Sequence, residues 1–146
     1  MKVGTDGVLL GAWVSDKLVG NRLLDIGTGT GVIALMLAQK HPNAQIDAIE
    51  RDEHASLQAG ENVARSDWFN RVTIHHILLK NFIEESTDAY SDLVCNPPYF
   101  IKGWNVDALS RKHARDAASL PHEELILAAN KLLNSDGKLH LILPIT

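Results

Sequence analysis

The sequence has only one cysteine, which excludes an internal disulfide framework and is typical of a reducing compartment. It also lacks an excess of positive charge. The formal net charge of −4 excludes a basic field over the whole surface, so any nucleic-acid contact must come from a local patch. No run approaches the ~20 apolar residues of a membrane-spanning helix, and residues 1–13 contain one lysine and no signal-peptide core. We therefore expect a cytoplasmic protein without a membrane anchor.

Metal-ligand spacing is also missing, although the chain has seven histidines. His75 and His76 are neighbours on a predicted strand and therefore point to opposite faces. No histidine pair has helical spacing and no cysteine lies close to histidines, so we predict no metal site. Cys95 ends a buried strand, which favours a packing role over a nucleophilic one.

Short apolar runs alternate with helical patterns along the chain. The predicted strands cover residues 22–26, 45–50, 71–79, 90–95 and 138–143, and the predicted helices cover residues 31–40, 52–66 and 121–134. This alternation predicts an α/β fold: a Rossmann-like, doubly wound, mostly parallel sheet in a single domain over residues 1–146. Ligands of such sheets bind beyond the carboxyl ends of the strands.

The loop after the first predicted strand, D-I-G-T-G-T-G at residues 25–31, has three alternating glycines. Glycines let the backbone turn sharply and approach a ligand closely, and the following helix directs free N–H groups at it. The dinucleotide spacing G-x-G-x-x-G fails, because Val32 takes its last position. The loop instead resembles the cofactor motif of S-adenosylmethionine-dependent methyltransferases. That resemblance implies cofactor contacts from Asp25, Gly27, Thr28, Gly29 and Gly31.

Glu50 ends the second predicted strand, about 20 residues after the glycine loop. A carboxylate there accepts hydrogen bonds from both hydroxyls of a ribose, and Asp52 lies too far along the chain to be the first choice. A plain glycine turn and a surface glutamate are the alternative, but their combination at this spacing favours a cofactor site.

The sequence Asn96-Pro97-Pro98-Tyr99 follows the fourth predicted strand directly. Two prolines force the chain out of the sheet and stiffen the loop. The Asn96 side-chain carbonyl and the Pro97 backbone carbonyl can accept both hydrogens of one amine, while Tyr99 stacks on a flat ring. Aligning a poor nitrogen nucleophile with an electrophilic methyl group needs no metal and no covalent enzyme intermediate. The alternative is a rigid Pro-Pro turn without chemistry.

Four segments are informative beyond these motifs: MKVGTDGVLLGAW at residues 1–13, LLDIGTGTGVIALMLAQ at 23–39, QAGENVARSDWFNRV at 58–72 and NPPYF at 96–100. Together they resemble the tRNA1(Val) adenine-N6 methyltransferase family. The resemblance implies S-adenosylmethionine as cofactor, a tRNA substrate, and methylation of the adenosine beside the anticodon. It further implies that Thr5 and Asp6, in an opening loop, lie near the cofactor.

Substrate contacts are expected after the N-P-P-Y motif. Trp104 is a candidate base contact, and basic residues of the same stretch either bind phosphate or form a solvated loop. The candidate substrate-binding residues are Phe100, Lys102, Trp104, Arg111 and Arg115.

Two departures from the family pattern lead to further expectations. The end of the third predicted strand, residues 76–79, has no acidic residue, which leaves recognition of the cofactor adenine to the backbone. The chain also ends after its fifth predicted strand, where relatives continue to two more. We therefore expect a domain truncated at one or both ends, with self-association through the open edge of residues 138–143.

Three other functions stay open. Protein glutamine-N5 methyltransferases acting on release factors share the N-P-P-Y motif, although the MKVGTDG segment and Phe100 argue against them. Ribosomal RNA guanine-N2 methyltransferases are a further possibility. A non-catalytic cofactor-binding module fits the missing strands but not the intact N-P-P-Y motif.

Overall fold

Five strands form one parallel sheet in the computed structural model, which describes residues 5–96 and 122–142. The strands are β1 (Arg22–Ile26), β2 (Gln45–Glu50), β3 (Val72–His76), β4 (Tyr90–Cys95) and β5 (Leu133–Leu141). Their order is β3-β2-β1-β4-β5, with all four pairings parallel. The chain moves outward from β1 to β3 and then returns to place β4 on the other side of β1. Strand order therefore reverses between β1 and β4, which is where sheets of this kind bind ligands.

Helices cover both faces of the sheet. They are α1 (Thr5–Val14), α2 (Val32–Lys40), α3 (Glu53–Ala64), α4 (Leu79–Glu85) and α5 (His122–Leu132). Because side chains alternate along a strand, Leu23 packs with α1, α2 and α3 while Leu24 packs with α4 and α5. The predicted α/β, doubly wound architecture is confirmed. None of the helices in the described part of the chain is both long and apolar enough to span a membrane.

Two predicted boundaries are wrong around β3 and α1. The predicted strand 71–79 ends at His76, because the chain turns into α4 at Leu79; the Ile77 N–H still donates to the Glu50 carbonyl of β2 at 3.0 Å. The segment expected as an opening loop is the helix α1, whose apolar Leu10 and Val14 are buried in the core.

The last helix and strand also differ from the prediction. The helix ends at Leu132, not at residue 134, and β5 begins at Leu133. Leu133 pairs with Tyr90, but the next pair joins Lys138 to Asp92, so residues 134–137 form an irregular insertion. The regular ladder thus starts at residue 138, as predicted, while residue 143 lies outside the described range.

A buried aspartate on β4 fixes the connection between α1 and β1. The Asp92 carboxylate is fully buried, accepts hydrogen bonds from the Val19 and Gly20 backbone N–H groups at 3.1 to 3.2 Å, and pairs with the His140 ring at 2.8 Å. A Cβ at Gly20 would lie 2.5 Å from the Ser91 Cβ, so the connection needs glycine there.

A second buried aspartate links its own strand, β2, to β1, β3 and β4. The Asp47 carboxylate on β2 pairs with Arg22 at 2.7 Å and His75 at 2.9 Å, and it accepts a 2.6 Å hydrogen bond from the Tyr90 hydroxyl. Burial raises the pKa of Asp47, but these three partners outweigh burial and leave the pKa below its usual value.

Candidate active site

The glycine loop leaves β1 in a conformation that ordinary side chains avoid. Gly27, Gly29 and Gly31 have φ angles of 69°, 60° and 87°, in the left-handed region. The Gly27 and Thr28 N–H groups both donate to the Ile49 carbonyl at 3.0 Å, which ties the loop to the end of β2. The loop therefore presents backbone, not side chains, beyond the carboxyl ends of β1 and β2.

Helix α3 supports this loop from behind. The Asn62 side-chain N–H donates to the Thr30 carbonyl at 2.9 Å, and a Cβ at Gly31 would lie 3.5 Å from the Ala59 Cβ. Asn62 appeared in the sequence only as part of a resembling segment. Thr30, which it contacts, lies 32 residues away in the sequence, so no local pattern could have revealed this hydrogen bond.

Asp25, next to the end of β1, is a buried carboxyl with an incomplete set of hydrogen bonds. Its Oδ2 accepts a 2.7 Å hydrogen bond from the Thr28 hydroxyl, whereas Oδ1 has no hydrogen-bond partner among the described residues. Burial raises its pKa to about 7, and the smaller effects of Thr28 and the nearby Ala34 N–H only partly offset this. A buried acceptor without a donor is costly unless a ligand supplies one.

Glu50 stands at the end of β2, half-buried beside the glycine loop. Its Oε2 accepts a 3.1 Å hydrogen bond from the Arg51 N–H, and burial raises the carboxyl pKa above its usual value, to which repulsion from Asp52 adds. Asp52 is instead the N-cap of α3, where its side chain accepts from the Ala55 N–H at 2.8 Å.

Asn96 comes directly after β4, next to the glycine loop. Ile26 pairs with Cys95 at the ends of β1 and β4, so the two chains leave the sheet side by side. The Asn96 side chain is half-buried, and its Nδ2 faces Gly7 on α1, where a Cβ would lie 3.3 Å away. Cys95 is fully buried, and burial raises the pKa of its thiol well above the usual range, as fits a packed residue.

Several candidate site residues lie outside the described range, and their roles stay predictions. They are Pro97, Pro98, Tyr99, Phe100, Lys102, Trp104, Arg111 and Arg115. Thr5 and the exposed Asp6 lie in the first turn of α1, immediately before Gly7, so the helix places their backbone at the same edge of the sheet as Asn96. The structure thus brings together the ends of β1, β2 and β4 with the start of α1.

The adjacent histidines of β3 have separate partners. His75 pairs with Asp47, whereas the His76 ring pairs with the Arg51 carbonyl at 3.0 Å. Within residues 5–96 and 122–142, no three His, Cys, Asp or Glu side chains are grouped as metal ligands are.

Sequence comparisons identify close relatives of known name. The family model described as the methyltransferase small domain matches residues 4–144. The chain is 48% identical to a tRNA1(Val) (adenine(37)-N6)-methyltransferase from Flavobacterium psychrophilum, over 99% of this chain and 62% of that protein. It is 46% identical to the protein of the same name from Histophilus somni, over 99% of this chain and 61% of that protein. The chain therefore spans about three fifths of the length of these relatives.

Solved structures share the fold. An S-adenosylmethionine-dependent O-methyltransferase from Thermotoga maritima superposes with a TM-score of 0.65 at 18% identity, over 100% of this chain and 46% of that one. A precorrin-6y C5,15-methyltransferase from Geobacter metallireducens also gives 0.65 at 18% identity, over 90% and 60% of the two chains. At such identities the likeness establishes the Rossmann-like fold class alone.

Proposed function

Because the chain belongs to the methyltransferase small domain family, we propose that it transfers a methyl group from S-adenosylmethionine to N6 of an adenine in tRNA. The observation that carries this proposal is the placement of two features side by side where the strand order reverses. One is the glycine loop with the incompletely bonded Asp25, and the other is Asn96, at the ends of adjacent strands. The curated relatives carry the name that the sequence resemblance predicted.

The described residues fit the proposed cofactor. The buried Asp25 Oδ1 lacks a donor among the described residues, and the ammonium group of the cofactor's amino-acid moiety would supply one. Glu50, half-buried one strand away, offers acceptors for ribose hydroxyls. Because residues 76–79 contain no acidic residue, recognition of the adenine ring would fall to the backbone there. Bound S-adenosylmethionine would supply an electrophilic methyl group on its sulfonium sulfur.

Asn96 would hold the nitrogen that receives the methyl group. An exocyclic amine conjugated to a ring is a weak nucleophile. An acceptor that receives hydrogen bonds from the amine N–H groups orients the nitrogen lone pair. The half-buried position of Asn96 limits competition from water for these hydrogen bonds. Catalysis then depends on alignment and on a pre-organised polar surrounding.

The proposed substrate is tRNA1(Val), with adenine 37 as the target base, by analogy with the named relatives. Such a substrate places the reaction in the cytoplasm. With a net charge of −4, the chain must bind the RNA through a local patch, and the basic residues between 102 and 115 are the candidates.

A methyl-transfer assay with labelled cofactor tests the proposal. We expect the chain to label an unmodified tRNA1(Val) transcript and not a transcript with guanine in place of adenine 37. Gly60→Ala is the matched control protein, because a Cβ at Gly60 meets no atom within 4 Å. Equal labelling of both transcripts would refute the assigned base. Labelling of a release factor or of ribosomal RNA alone would favour the other two methyltransferase activities, and cofactor binding without transfer would favour a binding module.

We also propose that two copies associate through β5. This strand lies at the edge of the described sheet, and its His140 side chain is buried against Asp92, so that histidine does not protect the edge. Light scattering over a concentration series should show a dimer or larger species, and a constant monomer mass would refute the association.

A further inference from the structure

We propose that Gly7 is a positioning residue for methyl transfer: the missing side chain at this point of α1 sets where the Asn96 amide sits. The inference deepens the proposed function and rests on it for the role of Asn96. The observation is that a Cβ built on Gly7 would lie 3.3 Å from Asn96 Nδ2 and 3.9 Å from the Val32 Cγ1. Gly7 is buried, so the contact is shielded from solvent.

The helix conformation does not explain this glycine. Gly7 lies inside α1 and does not have the positive φ that the three loop glycines have. Within a helix, alanine is ordinarily more favourable than glycine, because glycine loses more backbone entropy on folding. A glycine that is buried, regular in conformation and adjacent to Asn96 is therefore explained by the space it leaves.

The contact distance predicts how alanine would act. A methyl group 3.3 Å from the amide nitrogen is closer than ordinary van der Waals contact, so the Asn96 side chain must move by a few tenths of an ångström. Gly11 lies one turn further along the same face of α1, and a Cβ built on it would lie 2.9 Å from the Met36 Sδ, so α1 already packs closely against α2 at this point. A misplaced acceptor weakens alignment of the amine, whereas the glycine loop and Glu50 stay where they are.

Gly7→Ala tests the inference, with Gly60→Ala and Gly11→Ala as matched controls. Gly60→Ala repeats the substitution in α3 with no atom in reach, and Gly11→Ala disturbs α1 packing through the flexible end of Met36, away from Asn96. We expect Gly7→Ala to lower kcat on the tRNA transcript roughly tenfold. KM should not rise, and neither cofactor affinity nor Tm should fall below the wild-type value. In an Asn96→Ala background, Gly7→Ala should have no further effect, because the two residues act through one contact.

A second readout needs no substrate. The side-chain amide resonance of Asn96, assigned by its loss in Asn96→Ala, should shift in Gly7→Ala and stay in place in the two control variants. If it stays in place in Gly7→Ala, or if Gly11→Ala lowers kcat as much as Gly7→Ala does, the inference is wrong. If the wild-type chain methylates no tRNA while this resonance shifts as expected, the proposed function fails and the contact between Gly7 and Asn96 stands.

Discussion

Replacing Asp25 with asparagine should remove a pH dependence of stability that this carboxyl imposes. Burial raises its pKa from 3.8 to about 7 in the folded chain, while the unfolded chain keeps the ordinary value. Between these two values the unfolded state has lost the proton and the folded state has kept it. The stability contributed by Asp25 is therefore fully present below pH 4 and is lost as the pH rises to about 7.

The size of the effect follows from the width of that interval. Each pKa unit corresponds to roughly 1.4 kcal/mol, so the wild type should lose about 2 kcal/mol through Asp25 between pH 5.5 and 7. The Glu50 carboxylate contributes to the raised pKa, and the Cys95 thiol also faces this carboxyl. Glu50→Gln should therefore reduce the slope without abolishing it.

Urea unfolding at pH 5.5, 7 and 8.5 measures this directly. The unfolding free energy of Asp25→Asn, minus that of the wild type, should increase by about 2 kcal/mol from pH 5.5 to 7 and then level off. Glu61→Gln removes the same charge from an exposed position on α3 and controls for net charge. A difference that stays constant with pH, or that decreases as the pH rises, would refute the reasoning.

Three further outcomes are expected. Glu50→Gln should weaken binding of S-adenosylhomocysteine by about 1.5–3 kcal/mol in calorimetry, while the exposed Glu53→Gln leaves it unchanged; equal affinities of Glu50→Gln and wild type would remove Glu50 from the cofactor site. Asn96→Ala should keep cofactor affinity and lose on the order of 100-fold in methyl transfer, so wild-type turnover would contradict its role. Asp92→Ala should lower the unfolding free energy by about 3–5 kcal/mol, because it leaves His140 and two backbone N–H groups without their acceptor. An unchanged urea midpoint would contradict this.

Local sequence patterns predicted the central part of the sheet correctly. The bounds of β1, β2 and β4 match the prediction, because each is a short apolar run that ends at a loop. The glycine spacing in residues 25–31 predicted a sharp backbone turn, and the three glycines there have positive φ angles, which few other residues adopt.

The missed helices have physical explanations. Helix α1 carries two glycines and is apolar on exposed positions as well, with Leu9 57% and Trp13 56% exposed, so no polar face marked it as a helix. Helix α4 has seven residues, and its buried Leu79 continues the apolar run of β3 in the sequence. The sequence pattern therefore does not show where β3 stops and α4 begins.

Three buried aspartates on neighbouring strands show what the structure adds to the site assignment. Asp25, Asp47 and Asp92 are at most 8% exposed and look alike in the sequence, each within an apolar run. Asp47 and Asp92 each have three or more partners within the chain, which accounts for them as structural groups. Asp25 alone among the three has an oxygen without a partner in the described residues, and it lies where the strand order reverses. An unmet acceptor destabilises the fold by about 1–3 kcal/mol, and this cost beside the glycine loop supports our proposal that a bound cofactor completes the hydrogen bonds of Asp25.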